Sequence, residues 1–415
     1  MEDNKVQVLT KEAEEFLNEY IKKLKIKNPQ VTITPGSIRG DNYLGVIGKV
    51  EIKSENSVLH WIFKSAIQQE TFRSFLPINK AYQREVYVYR KILAEFNRFQ
   101  EERNVAKPFK SYAKFLTSYL VEPNECLIME DMKTLGYKLH DRMEPLDYNH
   151  VLLVMREYGR FHALSFALRD QKPDLFKEIS ENTEEIFFHD DSFINEEMLK
   201  AMQNQACKVL DALDPVVHKS AYEKFEKFQK RMIEEAKDAV KSERSGKYSV
   251  VCHGDCWINN FLFRYGNTKN SNSPTNLCIL DWQLCRLGSP VLDLSYFIFS
   301  STDKQFRDKF YDEMIREYYN SLCTFLTELG SNPDELFPFA VLKEHLKTFS
   351  VFGLYMTVQV LFLILSDHEE IPDMHNFKSE DEALEKMNYT TKNIDKYNSR
   401  VRGVVTDFDK LGYYF

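Results

Sequence analysis

The chain has 415 residues, of which 43% are hydrophobic and 28% charged, and a formal net charge of −8. That length exceeds one ordinary domain and suits two lobes around a sizeable core. The acidic balance argues against nucleic acid as a partner, because phosphate-backbone binders carry a basic face, but it leaves room for a mononucleotide held by a local positive patch.

Residues 10–27 read as an amphipathic helix, with Phe16, Leu17, Tyr20, Ile21 and Leu24 on one face and Asn28-Pro29 at its end. Residues 31–65 read as β-rich, with Val31, Ile33, Val46, Val50, Ile52, Trp61 and Phe63 alternating and Gly36, Gly40, Gly45 and Gly48 breaking the run. A second helix is expected over 79–99, on the spacing of Tyr82, Val86, Tyr89 and Leu93, and strands around 115–120 and 127–129. After Asp131 the pattern becomes helical, over 147–170, 195–242, 303–329, 336–366 and 380–397. Short strands at 248–252, 260–265 and 276–280 interrupt it, with a Gly/Asn/Ser-rich loop at 266–274. The apolar segment 349–365 is short for a bilayer and contains Ser350, Gly353, Thr357 and Gln359, so a helix buried among other helices is expected rather than a membrane span. Seven scattered cysteines and an acidic start without an apolar leader core point to free thiols and a cytoplasmic location.

The sharpest motif is His253-Gly254-Asp255-Cys256-Trp257-Ile258-Asn259-Asn260, just after a short apolar strand. Asp255 and Asn260 stand five positions apart, so one loop can aim the carboxylate at an acceptor hydroxyl and the amide oxygen at a Mg²⁺ ion; protein kinases use the same H-x-D-x-x-x-x-N arrangement. The second motif is Cys278-Ile279-Leu280-Asp281-Trp282, where an Asp closes an apolar strand and can converge with Asp255 on one metal site. Upstream, Gly40-Asp41-Asn42-Tyr43-Leu44-Gly45 reads either as a lid over phosphates or as a plain β-turn. Lys64 ends a strand, either as a phosphate-binding lysine or as a solvated charge. Glu85 lies 21 positions further on a helix, either as the partner of Lys64 or as a surface residue beside Arg84. Leu127-Ile128-Met129-Glu130-Asp131-Met132 is the natural hinge, where backbone groups can bind adenine. Cys256 beside His253 and Asp255 does not make a hydrolase triad, whose members must converge in space rather than adjoin in sequence. These features give an α+β, two-lobed, protein-kinase-like fold: a small β-rich N-lobe over 1–131 and a large, mainly helical C-lobe over 132–415.

On these stretches, together with Phe63-Lys64, Glu85 through Tyr89, Phe161-His162-Ala163-Leu164-Ser165 and Asp293-Leu294, the chain resembles the ecdysteroid kinase-like (CHK-kinase-like) family, related to choline kinases and aminoglycoside phosphotransferases. The resemblance implies ATP and Mg²⁺ as cofactors and a small-molecule alcohol, such as an ecdysteroid or a xenobiotic, as acceptor. It implies Asp255 as catalytic residue, Asn260 and Asp281 as metal ligands, and Lys64 on the α- and β-phosphates with Glu85 holding it. It further implies adenine contacts from the Glu130 carbonyl and Met132 N–H, a lid including Gly40, Asn42 and Tyr43, a structural His253, and a loop-bracing Asp293. Gly45 departs from the small polar residue expected in many relatives. Two rivals stand beside this reading: a choline- or ethanolamine-type kinase, whose cationic acceptor wants an aromatic cage with acidic residues, and an inactive ATP-binding protein of the same fold.

Overall fold

The structure, a computed structural model, describes residues 9–36, 45–55, 57–188, 196–266, 273–371, 382, 386 and 389–415. The predicted lid residues Gly40, Asn42 and Tyr43 therefore lie outside the described residues, as does much of the helix expected over 380–397.

The first part of the chain builds a five-stranded antiparallel sheet. Its strands are β1 (Gln30–Pro35), β2 (Gly45–Lys53), β3 (Val58–Ala66), β4 (Phe115–Tyr119) and β5 (Cys126–Glu130), in the order β1-β2-β3-β5-β4. Side chains alternate across a strand, so each strand serves two faces. Trp61, Phe63, Cys126 and Ile128 pack under helix α1 (Lys11–Lys23), against Ala13, Leu17 and Ile21. Thr10 caps α1, accepting a hydrogen bond from the Ala13 N–H at 3.2 Å. The opposite face carries Ala66, Leu127 and Met129 and packs with Tyr82, Val86 and Tyr89. Because both faces are covered, β5 reads as an unbroken apolar run. Helix α2 (Glu70–Phe75) precedes a long helical rod made of α3 (Ile78–Tyr87), one π turn over Val88–Ile92 and α4 (Leu93–Glu102).

The second part is the helical lobe. Its helices are α5 (Tyr148–Gln171), α6 (Pro173–Glu181), α7 (Glu196–Asp211), α8 (Lys219–Phe228), α9 (Met232–Ala239), α10 (Ser242–Ser245), α11 (Pro290–Ser301), α12 (Lys304–Glu328), α13 (Pro333–Leu336), α14 (Phe339–Ile364) and α15 (Ile394–Leu411). Two small antiparallel sheets sit among them. One is β6 (Tyr137–Leu139), β8 (Phe261–Tyr265) and β9 (Pro274–Ile279); the other pairs β7 (Val250–Cys252) with β10 (Arg286–Gly288). The helical stretch expected over 195–242 consists of three helices, α7, α8 and α9; α6 and α11 arise where no helix was expected, and α15 begins inside the expected 380–397 and runs on to Leu411.

The run Pro333–Ile364 is long and apolar enough to cross a membrane, yet two thirds of its apolar window (67%) is buried inside the protein. Phe349, Val351, Phe352, Leu354, Val358, Leu361 and Phe362 of α14 lie in the main core. Its C-terminal carbonyls need partners, because the last turn of a helix leaves them unbonded. The buried Arg142 guanidinium supplies them, donating to Leu363 O at 2.6 Å, Ile364 O at 2.5 Å and Ser366 O at 2.6 Å. Replacing it by an apolar side chain removes three charge-assisted bonds and leaves the Ile364 and Ser366 carbonyls to find other partners, while Leu363 O keeps the Ser366 N–H. Arg142→Met is therefore expected to lower the urea-unfolding free energy by on the order of 2–3 kcal/mol; an unchanged midpoint and slope would show that water replaces the guanidinium at no cost.

Candidate active site

The site assembles where the sheet lobe meets the hairpin of the helical lobe. On β3, Phe63 faces α1, so alternation turns Lys64 to the opposite face, toward α3. On α3, Glu85 follows Ala81 and Tyr82 at helical spacing and shares their buried face. The Lys64 Nζ donates to Glu85 Oε2 at 2.8 Å and to Asp281 Oδ1, 217 positions away in sequence, also at 2.8 Å. Glu85 is fully buried, which excludes the surface reading for it, and Lys64 is 3% exposed.

The register of β8 with β9 delivers the other half. Phe261 pairs with Ile279, so the next residues outward, Asn260 and Leu280, are neighbours, and Leu280 N–H donates to Asn260 O at 2.9 Å. Asp281 follows at once, in a left-handed backbone conformation (φ 63°) that a short polar side chain tolerates. The Asn260 amide nitrogen donates to both Asp255 O and Asp255 Oδ2 at 2.9 Å. The Tyr296 hydroxyl donates to Asp255 Oδ1 at 3.0 Å. Asp255 is thus gripped on both carboxylate oxygens.

Asp293, in the first turn of α11, holds the loop from behind. Its carboxylate accepts His253 N–H at 2.6 Å and Gly254 N–H at 2.9 Å, and His162 Nε2 faces it at 3.2 Å. His253 Nε2 donates to Leu280 O at 2.8 Å while its Nδ1 accepts the Asp255 N–H at 3.3 Å, which fixes the neutral tautomer. Gly254 is required by space as well as conformation: at φ 88°, a Cβ would lie 2.0 Å from Leu284 O.

Burial, the repulsion of Asp281 added to it, pushes Asp255 up to about 6 despite the Tyr296 and Asn260 bonds. Burial opposes charge on Lys64, but Asp281 and Glu85 more than offset it and hold the ammonium above its ordinary value. Glu85 is pushed upward, by burial first and by Asp281 as well. Burial lowers His253, and Asp293 stays below the usual carboxylate range because its hydrogen bonds and the two imidazoles outweigh its burial. Burial drives the Cys256 thiol well up, which removes any nucleophilic role for it.

Among the described residues no cluster of three or more His, Cys, Asp or Glu side chains forms a self-contained metal site. The donors present suit Mg²⁺ instead, an ion bound by one or two protein oxygens plus phosphates and water. Because the Asn260 nitrogen is committed to Asp255, its amide oxygen is the atom of that side chain left for a metal ion. At the hinge, Trp61 pairs with Glu130 while Asp131 N–H donates to His60 O at 3.1 Å, so the Glu130 N–H and carbonyl turn away from β3. Met132 opens a short 3-10 turn capped by Asp131. Gly45 is explained by its neighbours, since a Cβ there would lie 2.1 Å from Ser65 O and 2.4 Å from the Tyr82 hydroxyl.

Sequence reasoning missed three residues at this site. Tyr296 stands one helical turn after Asp293, and that spacing was its only local signal. Arg84 donates to Glu184 O at 2.8 Å and to Cys285 O, locking α3 to the helical lobe. Arg286 enters through the pairing of β10 with β7, where it lies opposite Cys252.

The raised Asp255 value has a sign that can be tested. A carboxyl with a folded value near 6 and an unfolded value near 3.8 stabilises the fold below pH ~4 and loses that contribution as pH rises to ~6. Relative to the natural chain, Asp255→Asn should gain stability over that window, by up to about 3 kcal/mol, and level off above it. Chemical denaturation of both proteins from pH 4 to 8 checks this; a difference that does not vary with pH would mean that Asp255 titrates normally.

The family model described as the ecdysteroid kinase-like family matches residues 39–331. No curated protein matches the chain. Among solved structures, the GDP complexes of a point mutant and of wild-type aminoglycoside 2′-phosphotransferase-IIIa are each 11% identical to it. They align with TM-scores of 0.42 and 0.39, over 96% and 93% of this chain and 97% and 98% of theirs. That likeness is too remote to carry a conclusion, whereas the family match spans well over half the chain: this protein belongs to the ecdysteroid kinase-like family.

Proposed function

We propose that this member of a kinase-like phosphotransferase family uses ATP and Mg²⁺ to phosphorylate a hydroxyl of a lipophilic alcohol, a class that includes ecdysteroids and xenobiotic alcohols. The observation that carries the reading is two hydrogen-bonded sets side by side, Lys64 with Glu85 and Asp281 across the two lobes and Asn260 with Asp255 in the loop, joined where the Leu280 N–H meets the Asn260 carbonyl. Asp255 receives the acceptor hydroxyl and takes its proton as the new O–P bond forms and the β–γ bond breaks, releasing ADP. Tyr296 and Asn260 fix the carboxylate for that task. Lys64 contacts the α- and β-phosphates, with Glu85 keeping it in place. Asn260 and Asp281 would hold Mg²⁺, which would supply neutralisation of phosphate charge. The Glu130 carbonyl and Met132 N–H receive adenine, and Gly40, Asn42 and Tyr43 belong to the lid. A cytoplasmic site of action is part of the reading, supported by seven free cysteines.

The test is incubation with Mg-ATP and a panel of ecdysteroids, choline, ethanolamine and xenobiotic alcohols, followed by mass spectrometry for added phosphate. A phosphorylated product should fall by about 10²–10⁴-fold in Asp255→Ala, and Lys64→Ala should raise the KM for ATP. Undiminished product from Asp255→Ala would sink the assignment.

Because the base must be ionised, kcat/KM should decline on the acid side with an apparent pKa of about 6. A profile flat down to pH ~4.5 would show that no carboxyl raised in this way limits the reaction.

A further inference from the structure

Behind Asp255 the helical lobe presents a wall that the phosphate chemistry does not use. Arg286 is 2% exposed. Its Nε makes an ion pair with Glu185 Oε2 at 2.6 Å and donates to Leu284 O at 3.3 Å, while its Nη1 is buried without a partner. The guanidinium lies over two rings, 5.2 Å from the centroid of Phe352 and 6.0 Å from that of Phe188. Phe352 in turn meets Tyr296, with ring centroids 6.4 Å apart, and the Tyr296 hydroxyl is the one bonded to Asp255. Tyr355 closes the group, 5.7 Å from Phe188 and 6.5 Å from Phe352. The wall is therefore continuous with the catalytic carboxylate, and the positive charge of Arg286 reaches Asp255 and Tyr355.

Two physical consequences follow. An aromatic group of this kind would ordinarily attract a cationic ligand through its ring faces, but here a cation of the protein already occupies that place and would repel a second one. A buried guanidinium with a free N–H group also leaves a donor unsatisfied, at a cost a ligand oxygen can relieve.

We propose that Arg286, backed by Glu185 and flanked by Phe188, Phe352 and Tyr355, is the acceptor-recognition residue, and that it selects an apolar alcohol bearing a second oxygen, a ketone, hydroxyl or carboxylate, while rejecting quaternary ammonium alcohols. This deepens the phosphotransferase reading and rests on it. The acceptor lies with its apolar body against the three rings, its second oxygen on Arg286 and its reacting hydroxyl at Asp255.

The test uses hydroxysteroids matched in skeleton that carry at the distal end a ketone, a carboxylate, a methyl or a trimethylammonium group, with Mg-ATP as donor. The oxygen-bearing members should be phosphorylated with a kcat/KM at least tenfold above the methyl analogue, and the ammonium member should be the poorest. Arg286→Met alone leaves the Glu185 carboxylate without its cation, so the double variant Arg286→Met/Glu185→Gln is measured beside Arg286→Lys. The double variant should lose the oxygen preference through acceptor KM while calorimetric Mg-ATP binding persists, and Arg286→Lys should restore part of it. Preference for the ammonium member, an undiminished oxygen preference in the double variant, or turnover of no member by the natural chain would each overturn the inference. Loss of Mg-ATP binding by the natural chain would instead remove the underlying reading as well.

Discussion

The whole arrangement hangs on one buried ammonium. Lys64 comes from the sheet lobe, and both carboxylates that hold it come from elsewhere: Glu85 from α3 and Asp281 from the hairpin of the helical lobe. Taking a lysine out of water is costly, and a single buried carboxylate would offset that only with good geometry. Two do so here, and they leave the cluster with an excess of negative charge. Asp255, which burial and Asp281 make reluctant to ionise, adds to that excess. The site is thus short of positive charge as it stands, and on the phosphotransferase reading a divalent ion carried in with the nucleotide is what relieves it.

Against this charged front stands a backing with little freedom to titrate. His253 is kept neutral by burial and has both ring nitrogens engaged, and Asp293 binds two successive backbone N–H groups of the loop. Trp282 packs edge-on against His253 at 4.7 Å and against Phe161 at 5.2 Å. The loop is therefore held by an imidazole that burial keeps neutral and a carboxylate whose hydrogen bonds keep it ionised, while burial acts on Asp255 in the opposite sense. That contrast lets Asp255 change protonation without releasing the loop that carries it.

How much of this was legible depended on whether the relevant contacts were local. Asp255, Asn260 and Asp281 were readable because a hairpin converts sequence spacing directly into proximity, through its register. Lys64 and Glu85 were readable as a pair of alternatives, since strand alternation and helix period give each a face but not a partner; the packing of α3 on the sheet decided between them. The extension of the last helix beyond residue 397 was not read although Tyr397, Val401, Val404 and Phe408 carry its period, because Gly403 and the charges between them weaken the signal. Arg286 could not be found at all. Its neighbours Glu185, Phe188 and Phe352 are brought to it by two other segments of the fold, the stretch after α6 and helix α14, and no period links them.

The two halves of the site nevertheless share one support. Arg84 immediately precedes Glu85 on α3, yet its guanidinium holds the carbonyls of Glu184 and Cys285. Those two residues directly precede Glu185 and Arg286, the ion pair of the aromatic wall. Glu185 itself orders the turn below it, accepting the Phe187 N–H at 2.6 Å and the Phe188 N–H at 3.3 Å. A single helix thus presents Glu85 to the lysine on one side and anchors the wall through Arg84 on the other. A displacement of α3 that broke Lys64–Glu85 would also pull on the backbone that precedes Glu185 and Arg286. Coupling of this kind needs no chain of intermediate residues: it follows from two adjacent side chains on one rigid element reaching in different directions.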